Sequence, residues 1–309
     1  MSDFALKPLT PDLWSAVAGL IHHSTNAWYR KHGGAEVFSG PEQDCQLFCE
    51  VYEELDPGCC LIAIDQESGR LAGSCFYHPR GTHISLGIMN VHPDYFQRGV
   101  GSQLLRHVVD LADRENKPMR LISSALNLDS FSLYNRAGFR PRMVFQDMLL
   151  TVPETGLDVP VPRADRVRPA TLADVPAMFE VEREVVGIER SRDLRYFVEN
   201  GHGYWHVSVI ESAGGGLAGF LVSIAHPALR LMGPGVMRNE QDAVALIHAQ
   251  LDVHCGHTVV WLVPGQCDHV IRTMYSWGAV NCELHLGQTR GAWIEPDGIV
   301  MPTFMPETG

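Results

Sequence analysis

Asn90-Val91-His92-Pro93-Asp94-Tyr95-Phe96-Gln97-Arg98-Gly99-Val100-Gly101-Ser102-Gln103-Leu104-Leu105 reads as the end of an apolar strand, a glycine-bearing loop and the start of an amphipathic helix. Leu104, Leu105, Val108, Leu111 and Ala112 recur at helical spacing, which predicts one inward-facing stripe. Gly99 and Gly101 let the backbone turn tightly and let a ligand approach without meeting a Cβ. Ser102 and the glycines stand where the helix begins. The first N–H groups of a helix lack intrahelical partners and lie at the positive end of its dipole, so this position suits a phosphate. These residues predict an anion-binding strand–loop–helix unit. A Gly-x-Gly by itself more often marks a turn.

A second segment sharpens the reading. Asn127-Leu128-Asp129-Ser130-Phe131-Ser132-Leu133-Tyr134-Asn135-Arg136-Ala137-Gly138-Phe139 follows the apolar run from Met119 to Ala125 and reads as a strand, a short helix and a glycine stop at Gly138. Together the two segments resemble the GNAT superfamily of acyl-CoA-dependent N-acyltransferases. The pyrophosphate loop of that family reads Gln/Arg-x-x-Gly-x-Gly/Ala, and its later helix reads Asn-x-x-Ala-x-x-Leu-Tyr-x-x-x-Gly-Phe. Gly99 and Gly101 match the first, with Phe96 at the Gln/Arg position. Asn127, Leu133, Tyr134, Gly138 and Phe139 match the second, with Ser130 in place of Ala.

The resemblance implies transfer of an acyl group, most often acetyl, from CoA to a primary amine by direct attack. Acetyl-CoA or another short acyl-CoA is the implied co-substrate. Strand four would splay from strand five, freeing the backbone at Asn90-Val91 to bond pantetheine and the thioester carbonyl. Gln97, Arg98, Gly99, Val100, Gly101 and Ser102 would cradle the pyrophosphate. Asn127 and Ser130 would hold pantetheine. Tyr134 would contact the cofactor and protonate the departing thiolate, a phenol being a neutral donor at pH 7. Simpler roles fit the same residues: a core tyrosine for Tyr134, a helix cap for Asn127, a solvated loop charge for Arg98. His83 and His78 are base candidates among 15 histidines, and neither is assigned. Acceptor recognition would fall to Thr25–Ser39, with Trp28, Tyr29, His32 and Phe38.

Composition narrows the alternatives. A chain of 309 residues with 45% apolar content is long enough for two packed domains. A formal charge of −12 argues against a nucleic-acid surface, though not against a local basic pocket around Arg98 and Arg106. No run of about 18 apolar residues predicts a membrane span. Met1-Ser2-Asp3-Phe4 carries no basic-then-apolar leader, so a cytoplasmic protein with its eight cysteines reduced is expected. Cys45, Cys49 and Cys59-Cys60 fit no standard zinc spacing, and no metal is expected.

Along the first half the order β-α-α-β-β-β-α-β-α-β is predicted, closing with a strand over Phe139–Val152. Pro153, Gly156, Pro160 and Pro162 mark a stiff linker. An internal repeat follows. Lys7-Pro8-Leu9-Thr10 is echoed by Arg168-Pro169-Ala170-Thr171. Glu67-Ser68 before Leu71-Ala72-Gly73 is echoed by Glu211-Ser212 before Leu217-Ala218-Gly219, and Pro153-Glu154-Thr155-Gly156 by Pro306-Glu307-Thr308-Gly309. The second half therefore resembles a degenerate GNAT domain. In place of the phosphate loop it carries Gly233-Pro234-Gly235-Val236-Met237-Arg238-Asn239-Glu240, where Glu240 would repel phosphate. With Gly278 aligned on Gly138, Met274 stands at the tyrosine position.

The expected architecture is α/β (α+β): two tandem GNAT-like domains, each a mixed, mostly antiparallel sheet flanked by helices. Residues 1–152 form the acyl-CoA-binding, catalytic unit, 153–165 the linker and 166–309 the degenerate unit. The expected activity is acetyl-CoA-dependent N-acetylation of a small-molecule or protein amine by a monomer or homodimer, without nucleic-acid or membrane partners. The alternative is a non-catalytic acyl-CoA-binding sensor or scaffold.

Overall fold

A computed structural model describes residues 3–32, 34, 36–305 and 307. Met1 and Ser2 of the opening tetrapeptide, Gly33 and Ala35 of the expected acceptor segment, and Pro306, Thr308 and Gly309 of the second Pro-Glu-Thr-Gly lie outside the described residues.

The first half runs β1 (Phe4–Pro8), α1 (Trp14–Lys31), α2 (Gln46–Leu55), β2 (Cys60–Asp65), β3 (Leu71–Pro79), β4 (Ile84–Val91), α3 (Val100–Arg114), β5 (Met119–Ser124), α4 (Leu128–Arg136) and β6 (Arg140–Thr151). This is the order expected from the sequence. The second half repeats it as β7 (Val167–Pro169), α5 (Val175–Val186), α6 (Ser191–Glu199), β8 (Trp205–Glu211), β9 (Leu217–His226), β10 (Leu229–Met237), α7 (Glu240–Leu251), β11 (Thr258–Pro264), α8 (Asp268–Ser276) and β12 (Val280–Arg290), and adds β13 (Ile299–Met301).

One expectation is corrected. Gly233 to Met237 do not form a loop at the place of the phosphate-binding turn. They are the second half of β10, and only Arg238 and Asn239 separate that strand from α7. The reason is steric. Gly233 has φ +124°, and a Cβ there would lie 2.5 Å from the carbonyl oxygen of Pro302. The glycine admits the chain just after β13 against β10.

Among the described residues the strands form one sheet in the order β1-β2-β3-β4-β5-β12-β6-β11-β10-β9-β8-β7, with β13 beside β10. The two halves exchange their last strands. β12 pairs with β5 from His285↔Ser124 to Arg290↔Met119. β6 pairs with β11 from Thr151↔Thr258 to Phe145↔Pro264. β6 and β12 pair with each other in the middle. An unpaired β5 or β11 would present an open edge, and each is instead completed by the other half.

Helices cover both faces. Leu104, Leu105, Val108 and Ala112 of the expected stripe on α3 are buried, together with Val100, while Leu111 is half-buried. Each large apolar side chain so buried contributes roughly 1.5–3 kcal/mol. On the opposite face, α1, α2, α5 and α6 share one apolar core that spans both halves.

Candidate active site

β4 and β5 are parallel neighbours only at Ile84↔Met119 and Ser85↔Arg120. Beyond these pairs they part, and among the described residues no strand pairs with the rest of β4 on that side. A cleft of about 620 Å³ opens there. β4 contributes Met89, Asn90 and Val91, and the following loop contributes Pro93, Tyr95, Phe96, Gln97 and Gly99. Val100, Gly101 and Ser102 open α3, while Asn127, Asp129, Ser130, Leu133 and Arg136 come from α4 and its cap. Ser24, Thr25, Trp28, Tyr29, Lys31 and His32 close the cleft from the end of α1.

The two sequence motifs thus meet around one space. Asn90, Val91, Gln97, Gly99, Val100, Gly101, Ser102, Asn127 and Ser130 all line it. Gly99 caps α3 with φ +85°, a left-handed conformation that glycine adopts without strain. It sets the first turn of α3 at the cleft, where the unpartnered N–H groups and the dipole favour an anion. Asn127 caps α4, its side chain accepting from the Ser130 N–H at 3.0 Å. Asn90 donates to Ser24 Oγ at 2.8 Å and Thr25 Oγ1 at 3.3 Å. Its buried Oδ1 has no partner among the described residues. Lys31 and Arg136 are cations of the lining that the sequence motifs did not single out.

Two expected residues are placed differently. The Arg98 guanidinium stacks over Phe4 and Tyr95 at 5.2 and 5.0 Å and does not line the cleft. Tyr134 is 7% exposed, lies edge-on to Phe139 and is also outside the lining. Burial raises its pKa, with smaller contributions from Cys75 and Glu307, so the phenol stays protonated at neutral pH. The two candidate histidines are buried and do not line the cleft. His78 is held by Asp56 at 2.6 Å, and burial lowers its pKa. Of the expected acceptor residues, Thr25, Trp28, Tyr29 and His32 line the cleft, whereas Phe38 packs on Phe48 in the core.

The second half opens the same gap and fills it. β10 and β11 pair only at Leu231↔Val260 and Met232↔Trp261. β13 then occupies the freed edge of β10, pairing Gly235↔Met301, Val236↔Val300 and Met237↔Ile299. Met274 at the tyrosine position is fully buried.

The exchanged strands also assemble a polar cluster that sequence spacing did not reveal. Glu283 of β12 accepts from the Tyr29 hydroxyl at 2.8 Å through one oxygen, and from the Ser124 hydroxyl through the other. Beside it, His285 Nδ1 contacts the Asp147 carboxyl at 2.9 Å. One potential ligand atom each from Asp147, Glu283 and His285 lies within 4.8 Å of the others. Burial raises the pKa of Asp147 against the pull of His285. Burial, then the charge of Glu283, raises that of Tyr29. The cluster joins the end of α1, the end of β5 and strands β6 and β12.

Comparisons with known proteins agree with this geometry. Residues 23–139 match the model described as the acetyltransferase (GNAT) family, and residues 178–283 match one described as an acetyltransferase (GNAT) domain. A mycothiol acetyltransferase of Clavibacter sepedonicus is 38% identical over 90 residues, which is 29% of this chain and 29% of that protein. Among solved structures, a GCN5-related N-acetyltransferase from Sphaerobacter thermophilus aligns with a TM-score of 0.64 at 17% identity, covering 96% of this chain and 99% of that one. A tandem GNAT protein from the clavulanic acid biosynthesis pathway aligns with a TM-score of 0.60 at 15% identity, covering 94% and 100%. The chain spans under a third of the length of the curated relatives it matches, but with two family matches that together span more than half of its residues, laid out as a repeated β-α fold, it belongs to the GNAT family of acetyltransferases, as a tandem of two such domains.

Proposed function

We propose that the chain transfers an acetyl group from acetyl-CoA to a primary amine in the first-half cleft, and that the second half binds no acyl-CoA. The observation that carries this reading is the contrast between two like gaps. The β4–β5 gap is open and lined by both motifs, whereas the β10–β11 gap is taken by β13. In functional terms residues 1–152 supply the acyl-CoA site, 153–165 the linker and 166–309 a half that has lost its own site.

Pyrophosphate sits on the backbone of Gln97 to Ser102 at the start of α3, which the dipole favours. Pantetheine runs along Asn90-Val91 and Asn127–Ser130. The β4 backbone polarises the thioester carbonyl. A neutral amine attacks from the α1 side, the C–N bond forms as the C–S bond breaks, Tyr134 gives a proton to the thiolate, and the proton shed by the acylated nitrogen restores the Tyr134 phenol. Acetyl is the expected group, and the acceptor is a small-molecule or protein amine. One observation favours the non-catalytic alternative: Tyr134 does not line the cleft. That reading keeps acyl-CoA binding and loses turnover.

Calorimetric titration of the whole chain with acetyl-CoA tests the proposal. One site per chain is expected, and Gly101→Glu should abolish it. A Cβ at Gly101 would meet Leu133 and Val91 only at ordinary contact distances of 3.5 and 3.6 Å, so the fold admits the side chain and its carboxylate brings negative charge to the start of α3. Two sites would overturn the assignment of the second half. No binding would overturn the reading of the cleft.

A further inference from the structure

The second half supplies no acyl-CoA site, yet it delivers Glu283 to the acceptor side of the first-half cleft. β12 is inserted beside β5, and Glu283 there bridges the Tyr29 hydroxyl of α1 and the Ser124 hydroxyl at the end of β5. Tyr29 lines the cleft. Thus the hydroxyl of a cleft-lining tyrosine already donates its proton toward a carboxylate, beside the end of β5. We propose that Tyr29 and Glu283 form the proton relay that deprotonates the acceptor amine, with Asp147 and His285 as positioning residues behind them. The inference rests on the reading of the first-half cleft as the transferase site.

A primary amine arrives largely as ammonium and cannot attack until a proton leaves nitrogen. In the relay one N–H proton of the ammonium passes to the Tyr29 oxygen as the Tyr29 proton passes to Glu283. The products are a neutral amine, an unchanged phenol and a neutral carboxylic acid. No phenolate forms, as the raised pKa of Tyr29 requires. Ser124 holds the second oxygen of Glu283, so the first faces Tyr29. The buried His285–Asp147 pair packs alongside on the same two strands. The groups facing Tyr29 and Glu283 are Asp147 of β6 and Cys282 and His285 of β12. Lys31 and His32 lie near Tyr29 on the cleft wall. The carboxylate is a base of the class that the transfer needs.

The test uses the full chain. Acetyl-CoA affinity is measured by calorimetry, and CoA release is followed with spermidine, tyramine, lysine and glucosamine as probes across pH 6–10, a range set by about two units either side of pH 8. Glu283→Gln and Tyr29→Phe should each lower CoA release by about 100-fold or more, with acetyl-CoA affinity and thermal midpoint unchanged. The double variant should be no slower than the slower single one, because the two groups act in series. Glu283→Asp should recover part of the rate. The inference is overturned by wild-type turnover in Glu283→Gln, by multiplicative losses in the double variant, or by a loss of turnover that merely follows a loss of folding. It is also overturned if the wild type binds acetyl-CoA but releases no CoA with any probe. Failure to bind acetyl-CoA removes instead the reading of the cleft on which it rests.

Discussion

Glu307 follows β13 and brings a carboxyl group to the first half, where the Tyr52 hydroxyl donates to it at 2.6 Å and the Ile88 N–H of β4 also bonds it. Burial pushes this carboxyl up from its ordinary 4.5 to about 8, against the pull of those two donors. A folded-state pKa above the unfolded value means stability that is full below about pH 4.5 and lost as pH rises through about 8. Thermal unfolding followed between those limits should therefore show a decline that Glu307→Gln flattens. Parallel curves for the two proteins would contradict it. Tyr134 makes a second residue-scale prediction. Tyr134→Phe removes one oxygen from a packed ring, so acetyl-CoA affinity should hold while turnover falls by about 100-fold or more if the phenol is the acid. Calorimetry alongside CoA release separates this outcome from a packing defect.

At the scale of elements, the two halves differ in what sits beside the strand that loses its partner. Among the described residues β4 takes no strand beyond Ser85 and opens on a cleft, whereas β10 takes β13. The run Gly233-Pro234-Gly235 looks in the sequence like a decayed phosphate turn, but its glycines serve strand packing. Gly233→Ala should cost at least about 2 kcal/mol, because a Cβ at this φ is strained and meets the Pro302 carbonyl. Urea unfolding measures the cost, and acetyl-CoA affinity at the first half should not change. A neutral substitution would mean that β13 is held loosely on β10.

At the scale of the whole molecule, the halves are joined by exchanged strands and by a buried ionic clasp. Arg80, after β3, donates to Asp56 at 2.7 and 2.8 Å and to Asp193 of α6 at 2.8 Å, with all three residues at most 5% exposed. Burial alone would raise the pKa of Asp56, but hydrogen bonds from His78 and Arg80 outweigh it and hold the group well below the usual carboxylate range. A depressed pKa gives stability that is present above the unfolded value of 3.8 and lost as pH falls below it, so acid should loosen the clasp. Arg80→Leu leaves the buried Asp193 without its cation, while Asp56 keeps Arg192 and His78, and should cost about 3–5 kcal/mol. Unfolding in urea at pH 7 should show this as one transition shifted to lower denaturant. An unchanged midpoint would show that the clasp contributes nothing to holding the halves together.

The sequence by itself determined the element order of the first half, the repeat, the family and thirteen of the residues that line the cleft. Those features are local. A stripe on α3, a left-handed Gly99 and a capping Asn127 depend on spacing within a few residues, and helix periodicity and turn chemistry record them directly. Only the tertiary structure decided which strand stands beside which. β12 and β6 look like ordinary terminal strands, and nothing in their alternation says that each completes the other half. Strand pairing is chosen by packing and open edges across the whole chain. The filled gap at β10, the outward turn of Arg98 and the meeting of Tyr29 with Glu283, far apart in the chain, all follow from that choice.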